Sequence, residues 1–158
     1  MKTTGMLCIA LLVAACGGDD EEEGSVDVEG CEHLQEGPEV AITATADQNG
    51  APALADDHMR YDVALIDVAG GKGGVVAFAA DQASDFVFFL GAGVPVAITD
   101  SAMAEVDIEE SATSSPECDD IKGRHLVELA VGTYYLELGP TTETSVSIVV
   151  EPVAHEPH

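Results

Sequence analysis

Histidine is the residue type in this sequence that best fits a chemical role, and four of its five copies stand beside other metal-ligating groups. His33 lies two residues after a cysteine, His58 follows a pair of aspartates, and His155 and His158 flank a glutamate at the end of the chain. Imidazole and carboxylate together suit zinc, copper or nickel. If the C-terminal tail folds back near the first strand, these four side chains lie at one end of the domain and bind zinc or copper.

Other interpretations of the histidines stay open. None of their spacings matches a known zinc signature, and the two at the end of the chain are compatible with a solvated tail. The fifth, His125, alternates with Val127 and is therefore expected to pack in the core. A thiolate site that joins Cys31 and Cys118 to His33 is a further alternative, although the sequence has no Cys-x-x-Cys pair.

No arrangement of residues typical of an enzyme occurs in the sequence. The glycine cluster at residues 70–74 contains Lys72, but Gly73 follows where a phosphate-binding loop has Ser or Thr. No serine lies in a Gly-x-Ser-x-Gly elbow. Adjacent acids such as Asp56 and Asp57 point to opposite faces of a strand and do not converge as an acid–base pair. The sequence therefore predicts a protein that is not an enzyme, and residues 70–74 are interpreted as a flexible hairpin loop.

The first sixteen residues resemble the export signal of a bacterial lipoprotein. A basic residue precedes an apolar stretch at residues 6–15, which has about half the ~20 residues that a membrane-spanning helix needs. Val13-Ala14-Ala15-Cys16 then matches the lipobox of that family. The resemblance implies cleavage before Cys16, diacylglycerol on its thiol and acylation of its new amino terminus, typically with palmitate. Inner-membrane lipoproteins carry Asp at the position of Gly17, so the resemblance implies that this lipoprotein is located in the outer membrane.

A segment rich in glycine and acidic residues follows the lipidated cysteine. It opens with two glycines and then has five consecutive acids, which repel one another and bury no core. We therefore expect residues 16–30 to be a flexible tether, which reaches on the order of 50 Å at ~3.5 Å per residue. A cation trap is the alternative role of the acid run.

The chain carries thirty acidic and five basic residues, for a formal net charge of −25. Four basic residues remain after the signal is removed: Arg60, Lys72, Lys122 and Arg124. This small number of basic residues excludes sequence-independent binding to nucleic acid. It also argues against adhesion to anionic lipid, so contact with the membrane depends on the lipid at Cys16. A metal ion, another cation, a neutral ligand or an envelope protein stays compatible with this charge.

The lipoprotein resemblance implies different roles for the four cysteines. Cys8 lies in the cleaved signal and Cys16 carries the lipid, which leaves Cys31 and Cys118 in a compartment where disulfides persist. We therefore predict a Cys31–Cys118 disulfide. In the chain-entropy picture, closing a loop of about ninety residues stabilises the fold by about 4–5 kcal/mol.

Most of residues 40–150 consists of short runs of alternating apolar residues between turn residues. The last three runs, at 125–131, 133–138 and 145–150, alternate most clearly. Earlier runs lie at 40–45, 61–68, 75–79, 85–90 and 94–99, with a weaker one at 105–109 for which a short helix at 102–110 is the alternative. This pattern predicts one all-β domain at residues 31–151, a single antiparallel β-sandwich (jelly-roll or Ig-like) of about eight strands. A His-containing tail at 152–158 follows it.

Residues 131–138, Val-Gly-Thr-Tyr-Tyr-Leu-Glu-Leu, resemble the "aGtYyl" strand of jelly-roll sandwiches. Bacterial pre-peptidase C-terminal domains and carbohydrate-binding modules contain such strands, and the resemblance implies a sandwich scaffold that hosts many functions. A sugar would find one exposed ring, Tyr135, because Tyr134 falls on the core face and the chain has no Trp. The composition, rich in Ala, Gly and acids, resembles that of exported myxobacterial lipoproteins.

Together these patterns predict a lipid-anchored, non-enzymatic binding or structural module of the cell envelope. A periplasmic or surface lipoprotein that binds zinc or copper through its histidines is the first alternative. A carbohydrate- or protein-binding jelly-roll module is the second.

Overall fold

The computed structural model describes residues 25–153, and within this range the chain forms one helix and eleven strands. The predictions for the signal, Cys16, the acid run, His155 and His158 lie outside the described residues. The elements in chain order are α1 Val26–Glu36, β1 Glu39–Thr43, β2 Ala53–Leu54, β3 Arg60–Ala64, β4 Ile66–Val68, β5 Gly71–Ala80, β6 Ser84–Leu90, β7 Val96–Asp100, β8 Glu110–Ala112, β9 Gly123–Leu129, β10 Gly132–Thr141 and β11 Ser145–Pro152.

The strands form two sheets of mixed orientation. The six-stranded sheet has the order β1-β3-β11-β6-β9-β8, and the five-stranded sheet has the order β2-β5-β10-β7 with β4 paired to β5. The prediction of a β-rich fold is confirmed. A wholly antiparallel arrangement is wrong at two pairs, because β1–β3 and β2–β5 are parallel. Between β1 and β3 the chain passes through β2 of the other sheet, which gives the crossover that a parallel pair requires.

The apolar faces of the two sheets share one core. Phe78 of β5 contacts Phe86 and Phe88 of β6 edge-on, with ring centroids 5.0 and 5.3 Å apart. These aromatic pairs are fully buried, and Leu136 of β10 and Ile148 of β11 belong to the same cluster. The alternation read from the sequence therefore identifies the residues that face the core.

The opposite face of the six-stranded sheet is also buried, because α1 packs against it. Val87 and Phe89 of β6 and Val149 of β11 form a second cluster there with Leu34 of α1 and Ile121. Both faces of β6 and β11 are thus covered, which explains their continuous apolar runs.

Helix α1 was not predicted, and it replaces the last part of the predicted tether. The side chain of Ser25 caps its N-terminus by accepting a hydrogen bond from the backbone N–H of Val28 at 3.4 Å. Two acidic residues lie in the first turn, where their negative charge interacts favourably with the positive end of the helix dipole. At the other end, the N–H of Gly37 bonds to His33 O at 3.0 Å and Pro38 follows. Residues 26–30 are therefore helix, so the expectation of a flexible tether to residue 30 is wrong.

The predicted Cys31–Cys118 disulfide is present, with a Cα–Cα distance of 5.8 Å. It joins α1 to the segment between β8 and β9. Asp27 strengthens this attachment by accepting hydrogen bonds from Arg124 Nε at 2.8 Å and from Ser115 Oγ at 2.6 Å. The helix is consequently fixed to the sheet by a covalent bond, an ion pair and apolar packing.

Two further local predictions differ from the structure. Residues 71–74 form the start of strand β5 and not the expected hairpin loop. At Gly74 a Cβ would lie 2.7 Å from the Cβ of Ala44, so glycine permits close packing there. Residues 105–109 form only a single bridge, Thr99–Glu105, and the next strand is β8. Within the described residues, no helix has the length and apolar character needed to cross a membrane.

Candidate metal centre

Helix α1 places Glu29 and His33 on one face, because residues four positions apart are neighbours on a helix surface. Gly30 lets the helix approach the ring of Phe89 closely, since a Cβ there would lie 2.4 Å from two ring carbons. The disulfide at Cys31 fixes the same turn covalently. The two side chains therefore project from a helix whose position on the sheet is well defined.

His58 reaches the same place from the loop between β2 and β3. Its φ is 58°, in the left-handed region that non-glycine residues rarely adopt and that costs about 1 kcal/mol or more. The preceding Asp57 accepts a hydrogen bond from the Tyr61 hydroxyl at 3.2 Å, which ties the loop to β3. Burial, followed by the Asp57 carboxylate, raises the pKa of Tyr61, so the hydroxyl keeps its proton. The loop thus holds His58 in a strained conformation beside α1.

Glu151, near the end of β11, is the buried centre of the group. Successive side chains in a strand point to opposite faces of the sheet, so Glu151 points to the same face as Val149. Helix α1 covers this face. Oε1 of Glu151 is hydrogen-bonded to Nδ1 of His33. Oε2 is buried and has no hydrogen bond, although Nδ1 of His58 lies 3.3 Å away. One carboxylate therefore contacts two imidazoles, one through each oxygen.

The four side chains converge on one point. Nδ1 of His58 lies 3.7 Å from Oε1 of Glu29, and the rings of His33 and His58 have centroids 4.8 Å apart. One ligand atom from each of Glu29, His33, His58 and Glu151 lies within 4.8 Å of all the others. A tetrahedral ion with bonds of about 2.0–2.1 Å separates its ligand atoms by about 3.4 Å. Small side-chain movements would thus bring these atoms to bonding distance of one ion.

The electrostatic environment of Glu151 favours a nearby cation. Burial raises the pKa of this carboxyl group above its ordinary value, and the neighbouring Glu29 carboxylate raises it further. The hydrogen bond to His33 and the proximity of His58 act in the opposite direction. Two carboxylates that face each other with one largely buried are costly unless positive charge lies between them.

The structure brings together half of the predicted metal ligands, His33 and His58. Cys31 and Cys118 are bonded to each other, so the alternative of a thiolate site with His33 is wrong. Glu29 and Glu151 were missed, since Glu29 falls within the expected tether and Glu151 follows the last predicted strand.

His125, on β9, stands apart from this group. Its Nδ1 forms a 2.9 Å hydrogen bond with the hydroxyl of Ser111, and its Nε2 is buried without a partner. Burial lowers the pKa of the imidazole. His125 is thus half-buried near the edge of the six-stranded sheet and belongs to neither core cluster, so the expectation of a core histidine is met only in part.

A second concave feature lies beside the five-stranded sheet. It is a cleft of about 660 Å³ whose walls include Thr99 of β7, Glu137 of β10 and residues 46–49. Nε2 of Gln48 donates to Oγ1 of Thr99 at 3.2 Å and ties the loop to the sheet. The volume falls within the range of small-molecule sites.

Comparison with known proteins identifies no family for this chain, since no protein-family model and no curated protein matches it. Among solved structures, it is similar to a presumed secreted protein from Eubacterium rectale, with 13% sequence identity and a TM-score of 0.40. That match covers 78% of this chain and 43% of the other, so the chain spans less than half of that protein. A likeness at this level carries no argument about function.

Proposed function

We propose that this chain is a lipid-anchored protein of the cell envelope that binds a transition-metal ion, zinc or copper, through His33, His58 and Glu151. The observation that carries the proposal is Oε2 of Glu151, a buried carboxylate oxygen that makes no hydrogen bond and lies beside an imidazole nitrogen. An ion bound there would bond this oxygen and offset the cost of burying the carboxylate.

The ligand types favour a transition metal over magnesium or calcium. Magnesium and calcium prefer oxygen ligands, whereas imidazole nitrogen suits zinc and copper. Two imidazoles and one carboxylate from a helix, a loop and a strand would form a three-residue set of the kind that zinc enzymes and binding proteins use. Glu29 stands at the edge of this set, in contact with His58 alone.

An ordinary His–Glu ion pair is the competing explanation, and it accounts for less of the geometry. It explains the hydrogen bond between His33 and Oε1 of Glu151. It leaves Oε2 without a hydrogen bond, and the 3.3 Å ion pair to His58 satisfies that oxygen only in part. The left-handed φ of His58 adds to the case for a site, because strained residues cluster at functional sites.

The location of the protein is part of the proposal and depends on the N-terminal resemblance. Cleavage before Cys16 and acylation of that residue would anchor the chain in the outer membrane, with the acid run as a spacer. The Cys31–Cys118 disulfide fits an exported protein, because such bonds persist in oxidising compartments. We propose a binding role without catalysis, on a scaffold in which the two sheets form one sandwich.

Calorimetric titration with Zn²⁺ and Cu²⁺, after removal of metal with a chelator, tests the proposal. We expect one ion per chain with a Kd below about 10 μM in the presence of excess Mg²⁺, which saturates the exposed acids. Weaker binding of both ions, or binding that Mg²⁺ abolishes, would overturn it.

Matched variants show whether this cluster is the site. Glu151→Gln and His58→Asn should each weaken binding by about tenfold or more, and asparagine tolerates the left-handed conformation at position 58. His125→Gln is the control, since it removes a histidine that lies elsewhere. The pair His155→Ala and His158→Ala measures what the tail adds, and an effect confined to that pair would transfer the site to the tail.

The cleft beside the five-stranded sheet supports a second candidate function, the binding of a small neutral ligand such as a sugar. Gln48, Asn49 and Thr99 offer hydrogen-bonding groups in its walls. Tyr135 pairs with Thr99 across β10 and β7, so the two side chains share one face of the sheet. Selective retention of a glycan on an array would support this candidate, and an array without selective retention would count against it.

A further inference from the structure

The contacts within the metal centre are unequal. Glu151 touches both histidines, His33 through Oε1 and His58 through Oε2. Glu29 contacts only His58, at 3.7 Å, which is beyond hydrogen-bonding distance. Three of the four side chains therefore form a connected set, and the fourth stands beside it.

The exposure of the four side chains shows the same asymmetry. The side chain of Glu151 is 1% exposed and that of His33 is 21% exposed, whereas His58 and Glu29 are 57% and 48% exposed. The buried pair forms the floor of the site, and the exposed pair forms its solvent side. Solvent thus reaches the centre between His58 and Glu29.

We infer that a metal ion held by His33, His58 and Glu151 keeps one coordination position open on its Glu29 side, where it binds a small exogenous donor. This inference rests on the proposed function. Three protein ligands with one exchangeable position distinguish catalytic and exchange-competent zinc sites from closed structural ones, which use four.

The position of Glu29 selects the chemical class of that donor. Its carboxylate lies next to the open position, accepts a hydrogen bond from an N–H or O–H group, and repels an anion. The favoured ligands are therefore neutral donors that carry a hydrogen, such as water, imidazole or the histidine side chain of an incoming peptide. Anionic donors such as azide are disfavoured.

Spectroscopy of the Co²⁺-loaded protein tests the inference, with imidazole and azide as probes. We expect imidazole to change the visible Co²⁺ spectrum while the metal stays bound. The change should saturate when one imidazole is bound per Co²⁺ ion. Azide should bind about tenfold more weakly than imidazole. In Glu29→Gln the preference for imidazole over azide should fall, because the repelling charge is gone. Glu32→Gln removes an exposed charge from the same helix and should leave the preference unchanged.

The outcomes separate the inference from the proposed function. Failure of Co²⁺ and Zn²⁺ to bind overturns both. Tight metal binding with a spectrum that imidazole leaves unchanged overturns only the open position. Loss of metal affinity in Glu29→Gln equal to that in Glu151→Gln also overturns it, because Glu29 would then be an ordinary fourth ligand.

Discussion

His33 and Glu151 lie 118 positions apart in the sequence, and the hydrogen bond between them joins helix α1 to the last strand. The contact uses one oxygen of a carboxylate that is buried, and it leaves the other oxygen without a hydrogen bond. Because desolvation offsets much of the attraction in a buried ion pair, such a pair with incomplete hydrogen bonding is weak evidence for a structural role. The proposed metal-binding role therefore accounts for the open oxygen better than a structural role does.

Substitution of Glu151 by Gln should separate the two roles. In the metal-free protein we expect the free energy of unfolding to stay within about 1 kcal/mol of the wild type or to rise, because an amide is cheaper to bury than a carboxylate. The stabilisation of about 2.7 kcal/mol that zinc provides at a hundredfold excess over Kd should disappear. Urea denaturation with and without zinc measures both, with Glu128→Gln as an exposed control. A loss of about 3 kcal/mol or more in the metal-free variant would identify a structural ion pair instead.

Gly30→Ala should destabilise the protein, although alanine is the better helix former. The new Cβ would lie 2.4 Å from two ring carbons of Phe89, and such overpacking costs about 1–3 kcal/mol. The gain in helix propensity returns at most about 1 kcal/mol. Thermal or urea denaturation should therefore show a net loss, together with weaker zinc binding because α1 is displaced. Gly93→Ala, where a Cβ meets nothing within 4 Å, should be neutral, and equal stability of the two variants would refute this account.

Removal of the disulfide should lower the free energy of unfolding more than the loss of any other single contact of α1. The bond closes a loop with a sequence separation of 87, and the chain-entropy picture gives about 4–5 kcal/mol for its loss in Cys31→Ser/Cys118→Ser. Zinc affinity should fall as well, since α1 carries His33, one of the three proposed ligands. Chemical denaturation measures the first effect and calorimetry the second. A stability loss below about 1 kcal/mol would mean that Asp27 and the apolar contacts hold the helix unaided.

The imidazole of His125 should make stability depend on pH below neutrality. Burial lowers its pKa below the ordinary value of 6.5, so the folded protein binds fewer protons there than the unfolded chain does. The free energy of unfolding should consequently fall as the pH decreases through about 6.5 toward the lowered folded-state value. In His125→Gln the fall between about pH 7.5 and about pH 5 should be smaller. Urea titrations of the metal-free proteins measure this difference, and equal slopes would rule the effect out.

Much of the β-structure follows from local pattern. The alternation in β9, β10 and β11 predicts the residues on the core face, and Val127, Leu136 and Ile148 are buried there. The disulfide follows from the cysteine count once Cys16 is assigned to the lipid. Parallel pairing of β1 with β3 depends on where the intervening chain travels, which no local pattern specifies.

The candidate metal centre was only half predictable, because burial of Glu151 depends on a helix that the sequence signals weakly. Val26–Glu36 has few apolar residues and a central glycine, and packing against the sheet fixes it. One signal was present: Val149 and Val150 are consecutive, and consecutive apolar residues in a strand indicate that both faces are covered. Glu151 shares the Val149 face, so its burial could have been inferred.

The covalent bond between Cys31 and Cys118 also determines what a protease can release. A single cut anywhere in the backbone between these two cysteines leaves both pieces in one covalent molecule. That interval contains β1 to β8 and the loop that carries His58. Nicked molecules would therefore stay in one piece until a reductant opens the bond. With the proposed lipid anchor at Cys16, release of the intact domain would require a cut before Cys31.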